Sequence, residues 1–512
     1  MSITIITADG RKEYESDLKL TLLELLWKHG EKQLHAPCGG KGLCAKCTVF
    51  QVTEAGVELP VLACQVIPKD GDVYHLPENL EPVVALTGRH VENFKADAGM
   101  QGYGIACDIG TTTIACRLVS LTDGTCVAEL GAGNEQIRYG SDVISRIQAA
   151  GEGHLSELTE MIRRQLNGMI ESLCRRGKVA SGDLHCMSVA ANTTMCHLLT
   201  GLDPRSLGVF PFTPMSRFGE CYRASQLDLG FDGEVYVLPA VSGYVGGDIT
   251  ADILATGMDR SDRITLLLDV GTNGEMVLGC GDHMVCCATA AGPAFEGAEI
   301  DCGMTAAAGA ISSVAWKDGR VACEVIGNRE AVGICGSGLI DAVAMMLDLG
   351  VLDVTGRMLD RMEDPIPAAC LPYLELDEDG CPLFRLTAQV YVSQEDVHKL
   401  LMGKGAIAAG TQILLQMYGI DAEQVEELLL AGGFGSYIHV ESAARIGLIP
   451  RALSKVTHSI GNTAVEGAHA ALISKESRAR LARIQSHMEY HELSSLEAFH
   501  DAYMEAMTFP EN

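Results

Sequence analysis

Four cysteines near the start of the chain have a spacing that suits metal binding. Cys38, Cys44, Cys47 and Cys64 follow the pattern C-x5-C-x2-C, and sixteen residues then separate the third cysteine from the fourth. Four thiolates can hold a [2Fe–2S] cluster, with two thiolates on each iron. The alternatives are a structural zinc site and a group of unmetallated thiols, but zinc sites usually contain two C-x2-C or H-x3-H pairs and this segment has one such pair. The spacing therefore predicts that these four residues bind a [2Fe–2S] cluster.

The residues around the cysteines predict a small sheet with one helix. The expected elements are two strands, a helix and three further strands, at 2–7, 11–16, 21–30, 48–52, 61–67 and 73–76. Thr21 and Glu24 form a capping-box pair at the start of the helix. Gly39, Gly40 and Gly42 let the cysteine loop fold closely around a cluster and direct amide groups towards its sulfides. This order resembles the β-grasp ferredoxins, and the cysteine loop resembles that of the adrenodoxin and putidaredoxin type.

A short turn that begins with aspartate occurs twice further along the chain, 161 residues apart. The first copy reads DIGTTT and the second DVGTNGE, and each follows an apolar strand. The carboxylate can hold a hydrated Mg²⁺ ion, the glycine lets the backbone approach a phosphate, and the hydroxyl and amide groups can donate hydrogen bonds to that phosphate. The candidate residues are Asp108, Gly110, Thr111, Thr112, Thr113, Asp269, Gly271, Thr272, Asn273, Gly274 and Glu275. The repeat predicts two similar lobes that face a cleft.

Two further segments complete the set of candidate site residues. An apolar strand leads into Gly432, Gly433, Phe434 and Gly435, a turn on which a flat base or a ribose can lie. Taken alone, this turn is explained better as a tight connection between a strand and a helix, and it gains weight from the two phosphate-type turns before it. The segment GYVGGDITADILATG places Asp248 at the start of a helix, where an acid lies at the positive end of the helix dipole. A simple N-cap role explains Asp248 about equally well.

These four elements, in this order, resemble the superfamily of ATPases that contains actin, the sugar kinases and the heat-shock chaperones. The resemblance covers residues 103–475. It implies that the two aspartate turns bind the phosphates of ATP together with Mg²⁺, and that the turn at 432–435 binds the adenosine. It also implies that residues 247–257 and 462–472 are the connecting helices, and that Asp248 lies where the chaperones carry a glutamate that orients the attacking water. Asp248, Asp108 and Asp269 are therefore the candidate catalytic residues.

The expected fold class is α/β and α+β, with an N-terminal β-grasp ferredoxin followed by two RNase H-like lobes of an actin-like ATPase. The expected divisions are a ferredoxin-type domain, a linker, lobe I, lobe II and a charged helical tail, at 1–82, 83–102, 103–258, 259–475 and 476–512. Lobe II is expected to contain an insertion at 351–392. Lys404 could approach the nucleotide, although a solvated lysine is the better expectation.

Composition excludes several classes of partner. The chain of 512 residues carries 67 acidic and 38 basic residues, a formal net charge of −29. Such a charge repels nucleic acid and anionic membranes, so neither is an expected partner. The N-terminal residues lack the pattern of a signal peptide, and no apolar run has the length of a membrane span. The other fifteen of the nineteen cysteines are scattered, as is typical of reduced thiols. The protein is expected to be soluble and cytoplasmic.

The chain as a whole resembles the reductive activators of corrinoid enzymes. The fusion of a ferredoxin with an ATPase carries this resemblance, and the segments RYGSDVISRI, VAANTTMCHLL and AAGPAFEGAEIDCGM support it. The resemblance implies an anaerobic, homodimeric protein that uses ATP to pass one electron from its cluster to Co(II). The product is the Co(I) form of a corrinoid protein in a cobalamin-dependent methyltransferase system. The alternatives are a redox-regulated small-molecule kinase and a chaperone-like reactivase; a relative, the activator of 2-hydroxyacyl-CoA dehydratases, is disfavoured because it has no N-terminal ferredoxin domain.

The chain has no flavin-binding or nicotinamide-binding pattern, so an external ferredoxin or reductase of low potential is expected to reduce the cluster. The cysteine loop at 39–46, next to the predicted iron, is the expected docking surface for this donor. Lys41 and Lys46 are the two lysines of that surface.

Overall fold

The structure, a computed structural model, describes residues 2–511 apart from 8–9, 16–18, 32–33, 35, 37, 43–45, 54–56, 78–83, 360–365 and 433–437. Strands of the described residues form one five-stranded sheet, two six-stranded sheets and two three-stranded sheets. The five-stranded sheet comes first along the chain, and each six-stranded sheet forms the centre of one lobe. The predicted fold class, a small N-terminal sheet followed by two α/β lobes, is confirmed.

The N-terminal sheet packs one helix against its inner face. Its elements are β1 (Ser2–Thr7), β2 (Gly10–Glu15), α1 (Leu22–Lys28), β3 (Thr48–Val52), β4 (Glu58–Leu62) and β5 (Val73–His75), in the sheet order β2-β1-β5-β3-β4. Helix α1 begins after Thr21, because the Thr21 hydroxyl accepts the N–H of Glu24 and the Glu24 carboxylate accepts the N–H of Thr21 at 2.7 Å. Strand β4 both begins and ends earlier than the expected range of 61–67. Cys64 therefore lies in the turn that follows the strand.

Lobe I begins with a three-stranded meander. Its elements are β6 (Tyr103–Ile109), β7 (Thr113–Ser120), β8 (Cys126–Gly133), α2 (Val143–Ala149), α3 (Leu155–Gly177), β9 (Leu184–Ala191), α4 (Thr193–Thr200), β10 (Glu220–Arg223), β11 (Glu234–Val237) and α5 (Gly247–Thr256). The sheet order is β10-β11-β9-β6-β7-β8. Strands β6, β9 and β11 are parallel neighbours, and their apolar residues are buried on both faces of the sheet.

Lobe II repeats this topology. Its elements are β12 (Thr265–Val270), β13 (Gly274–Cys280), β14 (His283–Thr289), β15 (Ala310–Lys317), β16 (Arg320–Val325), β17 (Gly333–Ile334), α6 (Gly336–Asp348), β18 (Leu374–Leu376), β19 (Pro382–Arg385), β20 (Tyr391–Ser393), α7 (Gln394–Tyr418), β21 (Glu427–Ala431), α8 (Val440–Arg445), β22 (Thr457–Gly461), α9 (Thr463–Ile473), α10 (Lys475–His487), β23 (Met488–Tyr490) and α11 (Glu497–Ala506). The sheet order is β22-β21-β12-β13-β14-β23. The meander β12-β13-β14 and the parallel strands β21 and β22 match β6-β7-β8, β9 and β11 of lobe I. The sequence repeat thus corresponds to a repeated sheet.

The segment expected as a charged tail, 476–512, packs against the rest of the ATPase part. Strand β23 pairs with β14 at the edge of the six-stranded sheet, and α11 packs along α7. The segment at 351–392 contains the small sheet β18-β19-β20 and contributes buried apolar residues, including Phe384, to the core of the lobe. Both segments are therefore anchored by apolar burial.

Helices α5 and α9 lie together between the two large sheets. Apolar residues of both helices form one buried cluster with residues of lobe I, such as Ala106, and residues of lobe II, such as Leu267. A Cβ on Gly467 of α9 would lie 2.2 Å from the carbonyl oxygen of Ala251 of α5, so glycine permits the close crossing of these helices. No helix within the described ranges combines the length and the apolar character that crossing a bilayer requires.

Candidate functional site

A cleft that is open to solvent at its mouth lies between the two lobes. It brings together most of the predicted nucleotide-binding residues, namely Asp108, Gly110, Thr111, Thr112, Thr113, Asp248, Asp269, Gly271, Thr272, Asn273, Glu275 and Gly432. Gly274 instead begins β13, where an added Cβ would lie 3.0 Å from Ile407 of α7. Gly433, Phe434 and Gly435 lie outside the described residues.

The two aspartate turns have the same construction. Asp108 is the penultimate residue of β6, and Asp269 is the penultimate residue of β12. In each turn the first glycine donates its N–H to a backbone carbonyl close to the start of the next strand. Gly110 donates to Thr113 at 2.9 Å, and Gly271 donates to Asn273 at 2.8 Å. The two turns therefore present their hydroxyl and amide groups to the cleft from opposite lobes.

Glu296 links the two turns across the cleft, and the sequence analysis did not assign it a role. It ends a short helical turn, Pro293–Glu296. One carboxylate oxygen accepts the hydroxyl of Thr112 of lobe I at 3.1 Å, and the other accepts the hydroxyl of Thr272 of lobe II at 2.6 Å. Burial raises the pKa of Glu296, whereas these two hydrogen bonds and the nearby Arg146 guanidinium oppose that rise. Glu296 belongs to the segment AAGPAFEGAEIDCGM, but no local sequence pattern indicates that this glutamate lies in the cleft.

Carboxylates dominate the electrostatics of the cleft. Burial is the largest cause that raises the pKa of Asp108 and of Asp269 to about 7 and that of Asp248 to about 6, and mutual repulsion adds to the rise for the first two. The pKa values of Asp252 and Glu275 are raised for the same reasons. Among the described residues that line the cleft there is no lysine, arginine or histidine. The cleft is therefore suited to a ligand that brings its own cation.

The described residues contain no preassembled group of three or more His, Cys, Asp or Glu side chains around a metal position. The carboxylates of the cleft are oxygen ligands of the kind that Mg²⁺ accepts, and Mg²⁺ usually keeps several of its waters because it dehydrates reluctantly.

Residues at helix starts hold the aspartates in position. Asn462 caps α9 through the N–H of Val465 and donates its side-chain amide to Asp108 at 2.8 Å. Thr463 donates its hydroxyl to one oxygen of Asp252 at 2.6 Å, and the other oxygen of Asp252 has no hydrogen-bond partner. Asp252 thus leaves one buried acceptor towards the cleft. The sequence indicated a helix at 462–472, but it did not indicate that Asn462 and Thr463 would contact Asp108 and Asp252.

The start of α6 and the turn after β21 close the cleft on the lobe II side. Cys335, Gly336 and Ser337 line the cleft at the N-terminus of this thirteen-residue helix, which is the positive end of its dipole. Gly432 has a φ of +84°, and an added Cβ would lie 2.4 Å from a carboxylate oxygen of Asp269. Only glycine fits this close approach without displacing the aspartate.

Of the predicted cluster ligands, Cys47 directly precedes β3 and Cys64 follows β4. Cys47 and Cys64 are buried, and Cys38 is partly exposed. Gly39, Gly40 and Gly42 all have positive φ, and a Cβ on Gly40 would lie 3.7 Å from the Cβ of Cys64. The backbone after Cys38 therefore runs beside Cys64. Cys44 lies outside the described residues.

Two lysines differ from the expectations. Lys46, expected on an exposed docking surface, donates hydrogen bonds to carbonyl oxygens of lobe II, whereas Lys41 on the same loop is exposed.

Lys404 is buried beneath the C-terminal segment, where it donates to the carbonyl of Thr508 and lies over the ring of Phe509. Burial lowers the pKa of Lys404 to about 8. Lys404 therefore neither lines the cleft nor lies in solvent, because α11 and the residues after it cover this part of α7.

Comparison with known proteins places this geometry in a family context. The model of the RACo middle region matches residues 103–261, and the model of the C-terminal domain of RACo, the ASKHA domain, matches residues 263–512. The corrinoid activation enzyme RamQ of Eubacterium limosum is 34% identical over 426 residues, which are 80% of this chain and 71% of that protein. The Co(II) methylated amine-specific corrinoid protein reductase of Methanosarcina barkeri is 29% identical over 412 residues, 73% of this chain and 70% of that protein. The solved structure of a reductive activator for corrinoid, iron-sulfur protein superposes with a TM-score of 0.72 at 30% identity, covering 99% of this chain and 98% of that one.

Proposed function

The chain belongs to the RACo family, and we propose that it uses ATP to pass one electron to the Co(II) form of a corrinoid protein, which regenerates Co(I). The observation that carries this proposal is the presence, in one chain, of a cysteine loop suited to a [2Fe–2S] cluster and an acidic cleft with two matching phosphate-type turns. The partners are a corrinoid protein of a methyltransferase system and an external donor of low potential. The strongly acidic surface favours basic faces on both.

Cys38, Cys44, Cys47 and Cys64 are the proposed ligands of the cluster. When bound, the cluster supplies a one-electron donor. The glycines after Cys38 have positive φ, a backbone conformation that lets a loop turn its amides towards a bound cluster and so stabilise its negative charge. The burial of Cys47 and Cys64 on the sheet side keeps water from that part of the loop.

The cleft residues are proposed to bind ATP with Mg²⁺. Asp108 and Asp269 hold the hydrated Mg²⁺ from the two lobes, and the hydroxyl and amide groups of the turns bind phosphate oxygens. The positive end of α6 adds to this phosphate site, and the turn at 432–435 binds the adenosine. Asp248 orients the attacking water and accepts its proton, for which a pKa of about 6 is well matched to neutral pH.

The energy that this coupling must supply is moderate. For one electron, a deficit of about 200 mV costs about 5 kcal/mol. A ligand that prefers one of two conformations by about 10⁴-fold supplies about 5.5 kcal/mol. Closure of a cleft around a nucleotide that contacts both lobes is therefore sufficient in magnitude. We further propose that the protein acts as a homodimer.

The test uses the protein purified without oxygen, a chemical reductant and a corrinoid protein in its Co(II) form. We expect two irons per chain and an absorbance change to Co(I) that requires ATP. A Cys64→Ser variant should lose Co(I) formation and keep ATP hydrolysis, whereas an Asp248→Asn variant should keep iron and lose both ATP hydrolysis and the Co(I) formation that ATP drives. Zinc in place of iron, or Co(I) formation at the same rate without nucleotide, would refute the proposal.

A further inference from the structure

One loop of lobe II reaches from the nucleotide cleft to the cysteine loop. We define it as the 297–303 loop. Glu296 precedes it and Met304 follows it, and both line the cleft. An added Cβ on Gly303 would lie 2.3 Å from the carbonyl oxygen of Gly297, so the two ends of the loop are in direct contact. The N–H of Gly303 also donates to the carbonyl of Ile300 at 2.9 Å. The loop is therefore closed on itself, with its base in the cleft.

The far end of the 297–303 loop binds Lys46. The ammonium group of Lys46 donates to the carbonyl oxygens of Ile300, Asp301 and Gly303 at 2.7, 3.0 and 2.8 Å. An ammonium group has three N–H donors, so three carbonyls can satisfy it. The N–H of Asp301 donates to the carboxylate of Asp396 at 2.9 Å, which anchors this end of the loop to α7. Lys46 immediately precedes the cluster ligand Cys47 in the chain.

The other end of the cysteine loop contacts lobe I. An added Cβ on Gly39 would lie 3.6 Å from the carbonyl oxygen of Arg138, so the loop backbone touches the segment that leads into α2. The guanidinium group of Arg138 also lies over the ring of Trp27 of α1, 5.4 Å from its centroid. The N-terminal domain therefore contacts both lobes on either side of the cluster position. Any change in the separation of the lobes must alter one of these two contacts.

We propose that Lys46 is a positioning residue that couples the nucleotide cleft to the cluster, through the 297–303 loop. In the structure Glu296 bridges Thr112 and Thr272, two groups that a bound phosphate would also engage. A nucleotide that takes these hydroxyls displaces Glu296, shifts the base of the 297–303 loop against its anchor on α7 and changes the positions of the three carbonyls that bind Lys46. Lys46 and the adjacent Cys47 then change position, which presents the cluster to the electron acceptor. This inference rests on the proposed function, because it concerns how that electron transfer is timed.

The first experiment uses the unaltered protein with its cluster. An amine-acetylating reagent is applied with and without Mg²⁺ and a non-hydrolysable ATP analogue, and mass spectrometry gives the rate at each lysine. Lys41, exposed on the same loop, is the internal reference. We expect Lys46 to react about tenfold more slowly than Lys41 without nucleotide, since hydrogen bonds to a charged group protect it, and this difference to shrink severalfold with nucleotide. Equal rates without nucleotide, or a ratio that nucleotide leaves unchanged, would overturn the inference.

The second experiment compares Lys46→Met with Lys46→Arg and with Lys41→Met. The cluster is reduced chemically, and its oxidation by a one-electron protein acceptor of higher potential is followed with and without ATP, so that the transfer is downhill and ATP changes only its rate. Lys46→Met should raise the rate without ATP towards the ATP-stimulated rate, so the stimulation falls towards onefold while ATP hydrolysis continues. Lys46→Arg should restore part of the stimulation. Lys41→Met removes the same charge from the same loop and should retain the full stimulation.

The outcomes separate this inference from the proposed function. Unaltered protein that lacks iron, or that reduces Co(II) without any ATP requirement, would refute both. Unaltered protein that requires ATP, together with a Lys46→Met variant that keeps the same stimulation, would refute the role of Lys46 and leave the proposed function standing. An equal loss of stimulation in Lys41→Met would show a general charge effect and would also refute the role of Lys46.

Discussion

Replacement of Asp269 by asparagine tests the electrostatics of the cleft. Burial and neighbouring carboxylates raise the pKa of Asp269 from 3.8 to about 7 in the folded protein. The folded state therefore holds this proton more tightly than the unfolded state does. The stability that the proton contributes is fully present below about pH 4 and is lost as the pH rises through about 7. Asparagine removes this loss, because it is uncharged at every pH and has almost the same shape.

The size of the effect follows from the pKa and from the position of the side chain. A rise from 3.8 to about 7 corresponds to about 4 kcal/mol. Asp269 is only partly buried and meets the water of the cleft, so we take about half of this value, about 2 kcal/mol. At pH 8, without Mg²⁺ or nucleotide, the variant should therefore be more stable than the unaltered protein by about 2 kcal/mol, a few degrees in the midpoint of thermal unfolding. At pH 4 the two proteins should unfold at the same temperature.

The assay is thermal unfolding at pH 4, 6 and 8, with and without Mg²⁺ and an ATP analogue. The ligand should stabilise the unaltered protein at pH 8 and have little effect on Asp269→Asn, so the order of stability reverses when ligand is added. Asp262→Asn, an exposed change of the same kind, is the matched control and should follow the unaltered protein throughout. A variant that is less stable than the unaltered protein at pH 8 without ligand would refute the assignment of a raised pKa to Asp269. An equal response to the ligand would refute its role in binding Mg²⁺.

Three further changes test other parts of the molecule. Cys64→Ser should abolish iron binding and visible colour while ATP hydrolysis persists, and retention of iron at the level of the unaltered protein would contradict the ligand assignment. Glu466→Ala should cost about 3 kcal/mol in urea unfolding, because the buried guanidinium of Arg117 loses the carboxylate at 2.7 Å and keeps the more distant Glu129 at 4.0 Å and the carbonyl of Leu86. Replacing both Arg117 and Glu466 by methionine should recover most of this loss, and no recovery would count against the buried pair. Gly467→Ala should destabilise the protein by about 1–3 kcal/mol and slow ATP hydrolysis, because its Cβ would collide with a carbonyl of α5. Gly168→Ala on α3, where an added Cβ meets nothing within 4 Å, should stabilise by about 0.5–1 kcal/mol, and equal effects of the two changes would contradict the reasoning about close packing.

Much of the fold was accessible from the sequence because it depends on local chemistry. The capping pair of Thr21 and Glu24 sets the start of α1 through contacts three residues apart. The aspartate turns are recognisable because an apolar strand, an acid and a glycine determine the path of a few consecutive residues. The repetition of that turn also predicted the repeated sheet, since the same strand and turn pattern favours the same pairing in each lobe.

The position of Lys404 and of the final segment could not be inferred in this way. Helix α7 has apolar residues around most of its surface, so the sequence does not indicate which side another element will cover. In the structure α11 packs along α7 and the residues after it enclose Lys404. Burial of this amine depends on the path of the last twenty residues, which no local pattern specifies.

The sequence by itself determined the types of chemistry that this protein offers, namely a thiolate loop for iron and paired acidic turns for a metal-bound phosphate. Only the tertiary structure decided which distant residues complete and connect these sites. Glu296 meets Thr112 across 184 residues, Asn462 meets Asp108 across 354, and Lys46 meets Ile300 across 254. The physical reason is that spacing and periodicity describe the backbone over one or two turns, whereas these hydrogen bonds exist only once the two lobes and the N-terminal sheet have packed together.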